Sequence, residues 1–193
     1  MDTTLVAVSY RKPDLLSDYI DKLNQHHPEL ETILIDVAPE KHGTYDVDTH
    51  ISVAKANYSE AVNIGLRRAT REYIIWGNED ILVKGPFVDK LLAPVVADKK
   101  TITGPGRSKQ CGWPFIIGWL VGMHRDALDD IGYLDERYDG TFEDVDWSIR
   151  AVIAGYRLQR TPVPVVHMHL GRLNQFLFDG KRKLVDKWGY NDE

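Results

Sequence analysis

Short apolar runs alternate with amphipathic stretches over the first half of the chain, and this alternation constrains the fold more than any single residue. Thr4 to Ser9 is a β-branched and apolar run. Beyond Pro13, the residues Leu15, Leu16, Tyr19, Ile20 and Leu23 fall on one helical face, and Pro13 with Asp14 suits the start of that helix. Glu31 to Asp36 is a second buried-strand pattern, ending in a carboxylate, and Ile51 to Val53 is a short third one. From Ser59, the residues Ala61, Val62, Gly65, Leu66 and Ala69 recur at helical spacing and lead into a fourth strand, Tyr73 to Trp76. Parallel strands joined by crossover helices account for this order most economically.

The second half continues the pattern less regularly. A helix is expected from about Pro86 to Val96, a strand at Leu120 to Met123, and a helix from Glu143 to Gly155 with an acidic first turn. Thr141 is in place to cap that helix, and Asp146 with Arg150 forms an i, i+4 pair. Tyr156 to Leu158 and Val163 to His167 read as edge or mixed strands. The tail from Leu170 is polar and basic around Lys181, Arg182 and Lys183, with no long amphipathic helix evident. The expected fold is therefore α/β: a single domain with a Rossmann-like, mostly parallel central sheet flanked by helices.

Composition narrows the function. The chain has 193 residues, which at roughly 150 per domain means one domain. Its 43% apolar share is enough for a packed core without disulfides, in keeping with the single Cys111. A net charge of -5 argues against a nucleic-acid partner held by a global positive field. No run approaches ~18 apolar residues and the first residues lack a basic start, so a reducing cytoplasm is the expected location. The sequence contains no GxxxxGK[ST], no GxGxxG after the first strand, no GxSxG and no HExxH, which removes the P-loop, dinucleotide, hydrolase and zincin readings.

Three polar clusters remain. Asn78, Glu79 and Asp80 follow the fourth strand, where open α/β sheets place ligands; they suit either a hard divalent cation or an ordinary polar turn. In Glu143, Asp144 and Asp146, charge matched to a helix dipole competes with a carboxylate turned toward a reacting hydroxyl. His167 and His169, two apart on a strand, share one face as structural side chains or as metal ligands.

In this order the clusters resemble those of the family 2 glycosyltransferases, the inverting GT-A type, and most closely their rhamnosyltransferase-like branch. The stretch Gly118 to Gly155 carries the resemblance: Gly122-Met123-His124-Arg125, Ile131 to Glu136, Phe142 to Arg150, then Ala154-Gly155-Tyr156-Arg157. An upstream Asn-x-Gly series is similar at Asn63 and Gly65, with Lys55 and Asn57 departing from it; Asn57 is read there as a residue tolerant of positive φ. The resemblance implies Asp144 as general base and Asp80 as ligand of Mn2+ or Mg2+, with His169, or His167 in the alternative register, beside the diphosphate. It implies a donor site at Ser9, Tyr10, Asp36, Asn63, Asn78 and Glu79. Trp113, Trp119 and Glu143 would meet the acceptor. The donor-binding part would cover about 1–100, the acceptor and catalytic part about 101–170, and 171–193 would be a C-terminal extension.

The implied reaction moves a hexosyl or rhamnosyl group from a nucleotide-diphosphate sugar to a hydroxyl of a glycan, a lipid-linked or a protein acceptor. The alternative is a non-catalytic nucleotide-sugar or glycan-binding module on the same fold. A sugar nucleotidyltransferase is disfavoured because Ser9 to Pro13 contains no glycine. The basic tail is compatible with peripheral contact to an anionic membrane or with formation of a homo-oligomer.

Overall fold

The computed structural model describes residues 1–10, 13–39, 43–168 and 177–189. The elements run β1 (Thr3–Tyr10), α1 (Pro13–His26), β2 (Glu31–Val37), β3 (Thr49–Val53), α2 (Tyr58–Arg68), β4 (Tyr73–Asn78), β5 (Ile81–Val83) and α3 (Val88–Ala97). They continue with β6 (Thr101–Gly104), β7 (Arg107–Gln110), β8 (Trp113–Ile116), β9 (Leu120–His124), α4 (Asp126–Ile131), α5 (Glu143–Ile153), β10 (Arg157–Arg160), β11 (Val165–His167) and α6 (Leu177–Trp188). The main sheet has the order β10-β6-β9-β4-β1-β2-β3. Strands β1 to β4 pair in parallel, as do β6 and β10, whereas β9 lies antiparallel to both β4 and β6.

The continuous apolar run in β1 follows from burial on both faces. Val6 and Val8 join the cluster built on α2, which also holds Ala61, Val62, Leu66 and Trp76. Leu5 and Ala7 face the other way, into the cluster of Leu16, Tyr19, Ile20 and Leu23 from α1 and Leu91, Leu92 and Val95 from α3. Register then decides what gathers at the carboxyl ends of the strands: Ser9 lies opposite Asp36, and Val8 opposite Asn78.

Helix α2 starts with a reciprocal capping box, in which the Asn57 side chain accepts from the Glu60 N–H and Glu60 accepts from the Asn57 N–H. Asn57 has φ of -80°, so the expectation that it occupies positive φ is corrected: its side chain is used for capping. One turn further on, Gly65 packs against the central strand, and a Cβ there would lie 2.1 Å from Val6 Cγ1. Helix propensity favours alanine over glycine by about 1 kcal/mol. Overpacking a full core costs up to about 3 kcal/mol. Gly65→Ala is therefore expected to lower stability by about 2 kcal/mol in urea unfolding; an unchanged midpoint would show that Val6 swings aside freely.

Trp113 opens the second strand of a hairpin. β7 and β8 pair antiparallel across Cys111 and Gly112, whose φ values of 55° and 76° suit a primed two-residue turn. The tail also differs from expectation, because α6 is a docked helix. Its Leu184 is buried with Cys111, Tyr138, Val145 and Ile149, and Lys183 donates to the Arg137 carbonyl. Asp146, wholly buried in the first turn of α5, accepts from Trp188 Nε1 at 2.9 Å and pairs with Lys187 at 2.7 Å and Arg150 at 3.0 Å. Among the described residues no helix is long and apolar enough to cross a membrane.

Candidate active site

The parallel strands β1, β2 and β4 deliver their last residues to one edge, as expected where open α/β sheets bind ligands. The Tyr10 N–H donates to the Glu79 carboxylate at 3.1 Å, and the Glu79 N–H donates to the Val8 carbonyl at 3.2 Å. The residues after β4 are thereby tied to the end of β1. Glu79 and Asp80 are both buried. Burial, reinforced by Asp139 and Glu79, raises the Tyr10 pKa and keeps its phenol neutral. Asp36 is buried at the end of β2, with His50 Nε2 of β3 at 3.5 Å.

Asp80 meets His167 because β5 and β11 pair antiparallel with His167 opposite Ile81. The two side chains approach to 3.1 Å, the Met168 N–H donates to the Asp80 carbonyl, and the His167 ring stacks on Trp119 with centroids 5.0 Å apart. A carboxylate oxygen and an imidazole nitrogen side by side suit a divalent ion such as Mn2+ whose remaining positions are filled by phosphate oxygens and water. Among the described residues no group of three or more ligating side chains surrounds one point, so the donor set fits a shared shell rather than a closed protein cage. His169 lies outside the described residues.

Asp144 comes from the opposite side, on the first turn of α5. Its Oδ2 accepts from the Gly118 N–H at 2.9 Å, and its Oδ1 from the Val145 N–H at 2.8 Å. The residue before α5 is Phe142 in the left-handed region, φ 68°, with no side-chain cap, so the expected Thr141 cap is corrected. A bulky residue in that conformation is uncommon, and strain of this kind gathers at functional sites. Gly180 of α6 fits against it, since a Cβ there would lie 2.7 Å from both the Phe142 ring and Thr141 Oγ1.

The carboxylates of this helix are electrostatically unusual. Burial, with the Asp144 charge second, lifts the Glu143 pKa well above the usual carboxylate range, and one buried oxygen of Glu143 makes no hydrogen bond. Burial also lifts Asp144, opposed by the N–H bonds it accepts from Gly118 and Val145. Asp144 is the more exposed of the two and accepts two N–H bonds, so of the pair Glu143 holds its proton more readily.

Tyr58 joins the two sides. Its hydroxyl lies 2.7 Å from Asn78 Oδ1 and 3.1 Å from the Gly118 carbonyl, which also accepts from Trp76 Nε1 at 3.1 Å. Tyr58, Trp76, Gly118 and His50 were not apparent as site residues from sequence; each reaches the edge through tertiary placement, and no local pattern marks it. Asn63 is corrected in the other direction. It is buried, its Nδ2 donates to the Leu134 carbonyl and to Glu136 at 2.9 Å, and its Oδ1 accepts from the Leu134 N–H. Its amide clamps the loop before α5 onto α2 instead of facing a donor. Trp113 packs on the cluster of Tyr138, Val145, Ile149 and Leu184. A separate polar cavity of about 580 Å³, lined by Asn24, Asp46, Asp48 and Arg71, lies beside the start of β4, away from these groups.

No family model matches the sequence, and no curated protein matches it. Among solved structures it is similar to the mannosyltransferase PcManGT from Pyrobaculum calidifontis, determined with GDP-Man and Mn2+, at 18% identity and a TM-score of 0.67 over 83% of this chain and 55% of that one. GalNAc-T7, determined with UDP, GalNAc and Mn2+, is similar at 13% identity and a TM-score of 0.80 over 98% of this chain and 49% of that one. TarS of S. aureus matches at 12% identity and a TM-score of 0.60 over 80% of this chain and 34% of that one. The chain thus spans between about a third and just over half of these neighbours' lengths. With its mostly parallel seven-stranded sheet flanked by helices, the chain has the fold of the GT-A glycosyltransferases.

Proposed function

We propose that this chain is an inverting glycosyltransferase of the rhamnosyltransferase-like kind, moving a sugar from a nucleotide-diphosphate donor to an acceptor hydroxyl. The observation that carries the reading is the placement of Asp144. A partly exposed carboxylate, held by two backbone N–H groups, is linked through Gly118, Tyr58 and Asn78 to the strand end that carries Asp80. Asp144 takes the proton of the acceptor hydroxyl as its oxygen attacks the anomeric carbon, and attack from the face opposite the leaving diphosphate inverts that carbon. Asp80 and His167, with His169 as the alternative, hold Mn2+ or Mg2+. The ion when bound stabilises the charge that grows on the diphosphate. Ser9, Tyr10, Asp36, Asn78 and Glu79 line the donor side; Trp119, Trp113 and Glu143 serve the acceptor side.

The test is nucleoside diphosphate release and sugar transfer over a panel of UDP-, GDP- and dTDP-sugars, with and without Mn2+, for the wild type and Asp80→Ala. One donor is expected to turn over only with metal, and Asp80→Ala to lower kcat/KM about a hundredfold or more, since several kcal/mol of charge stabilisation depend on the ion. Tight donor binding without turnover on any acceptor would identify a binding module instead. No binding of any nucleotide sugar would remove the donor site altogether.

A further inference from the structure

Asp144 is oriented by a residue that has no side chain. The Gly118 N–H reaches Asp144 Oδ2, and a Cβ on Gly118 would stand 2.9 Å from Asp144 Cβ and 3.4 Å from Oδ2. Gly118 is not among the residues with positive φ, so its backbone is open to any residue type and what the position demands is room. Its carbonyl is fixed from two directions, by the Trp76 indole of β4 and the Tyr58 hydroxyl of α2. The Tyr58 proton is shared between that carbonyl and Asn78 Oδ1, so one hydroxyl sets the base loop and the end of β4 together.

We propose that Gly118 is the positioning residue for the base, with Trp76 and Tyr58 locking its carbonyl so that its N–H aims the Asp144 carboxylate. The inference rests on the reading of Asp144 as the base. A hydrogen bond to the ionised carboxylate also favours ionisation, so loss of the Gly118 bond raises the pH at which the base becomes available. The titratable groups that couple to Asp144 are Glu143 on its own helix and Tyr58 on α2; the latter stays protonated because burial raises its pKa.

The experiment compares kcat, donor KM and the pH profile of kcat for the wild type, Gly118→Ala, Tyr58→Phe and Asp144→Asn, with the active donor and Mn2+. Gly118→Ala is expected to lower kcat about 10- to 100-fold, the range for a lost hydrogen bond to a charged group, with donor KM within about twofold. Its acid limb is expected to move up by about half a pH unit or more. Tyr58→Phe, which keeps the ring, is expected to lower kcat about three- to tenfold, as for a neutral hydrogen bond. An unmoved acid limb in Gly118→Ala, or a loss confined to KM, overturns the proposal. If Gly118→Ala does not fold, Tyr58→Phe decides: wild-type kcat in that variant overturns it. Activity retained in Asp144→Asn would sink the base assignment itself, whereas an inactive Asp144→Asn beside a wild-type-like Gly118→Ala would sink only the role of Gly118.

Discussion

Replacing Asp144 with asparagine is expected to lower kcat about a thousandfold, the middle of the range for general-base catalysis, while donor affinity stays within about threefold. The amide is nearly isosteric but cannot take a proton, and its single oxygen can accept from only one of the Gly118 and Val145 N–H groups, which Asp144 serves with separate oxygens. The wild-type rate should rise with pH through an apparent pKa above the ordinary carboxylate range, because burial disfavours the ionised form of Asp144 and the ionised form is the base. Below that pKa the carboxyl is protonated and the rate falls; above it the rate levels off. The asparagine variant should lose this limb. Glu143 beside it titrates as part of the same pair, so the limb belongs to both carboxyls and not to one alone. A profile with an ordinary carboxylate pKa, or full activity in the variant, would show that the base is elsewhere.

The largest effect on stability is expected at Asp146. Its side chain is fully buried and meets three donors: Arg150 of its own helix and Lys187 and Trp188 of α6. Asp146→Ala takes the counter-charge from Arg150 and leaves Lys187 with Asp135 alone, and removing one partner of a buried ion pair costs about 3 to 5 kcal/mol. For a chain of this length that is a fall in Tm of roughly 6 to 20 °C. The readout is a thermal melt followed by circular dichroism. A shift under about 2 °C would mean that α6 does not depend on this contact. Because Asp146 shares the first turn of α5 with Asp144, catalytic loss in Asp146→Ala at a temperature where it remains folded would show that this ion-pair cluster also holds that turn in place.

The first half of the fold was readable because its strands are buried on both faces. Leu5 to Val8, Ile33 to Ile35 and Ile74 to Trp76 each stand out as apolar runs between polar residues, and the helices between them carry one clear stripe. Ser9 and Asp36 lie at the ends of two of these runs and Asp80 just after a third, so the parallel order carries all three toward one edge of the sheet. The second half resisted for definite reasons. β5 and β11 are three residues each, too short to show a period, and β7 is polar because it sits on the surface. In α6 the apolar face is short, with Leu184 buried and Trp188 half-buried on the same cluster amid lysines and aspartates, so the charged residues dominate its pattern. Asn63 matched a motif, yet its amide is consumed by Leu134 and Glu136 from a loop some seventy residues later, a pairing no local pattern encodes. Gly118 and Tyr58 were missed likewise: Gly118 meets Asp144 because β9 runs antiparallel to β4 and brings the residues before it to the strand ends, and Tyr58 meets Asn78 across twenty residues, from the start of α2 to the end of β4.

The antiparallel course of β9 also governs how much freedom the loop before it retains. Between Ile116, the end of β8, and Leu120, the start of β9, stand only Ile117, Gly118 and Trp119. Each is bonded: the Ile117 N–H to the Gly106 carbonyl, both Gly118 backbone groups as described, and the Trp119 carbonyl to the Asn78 N–H. A segment of three residues pinned at each step loses most of its conformational entropy when the chain folds, at about 1 to 2 kcal/mol per residue, and has little left to lose on binding. The N–H that Asp144 accepts from is thus set during folding, and on the proposed reading the reactive geometry needs little further ordering of this loop.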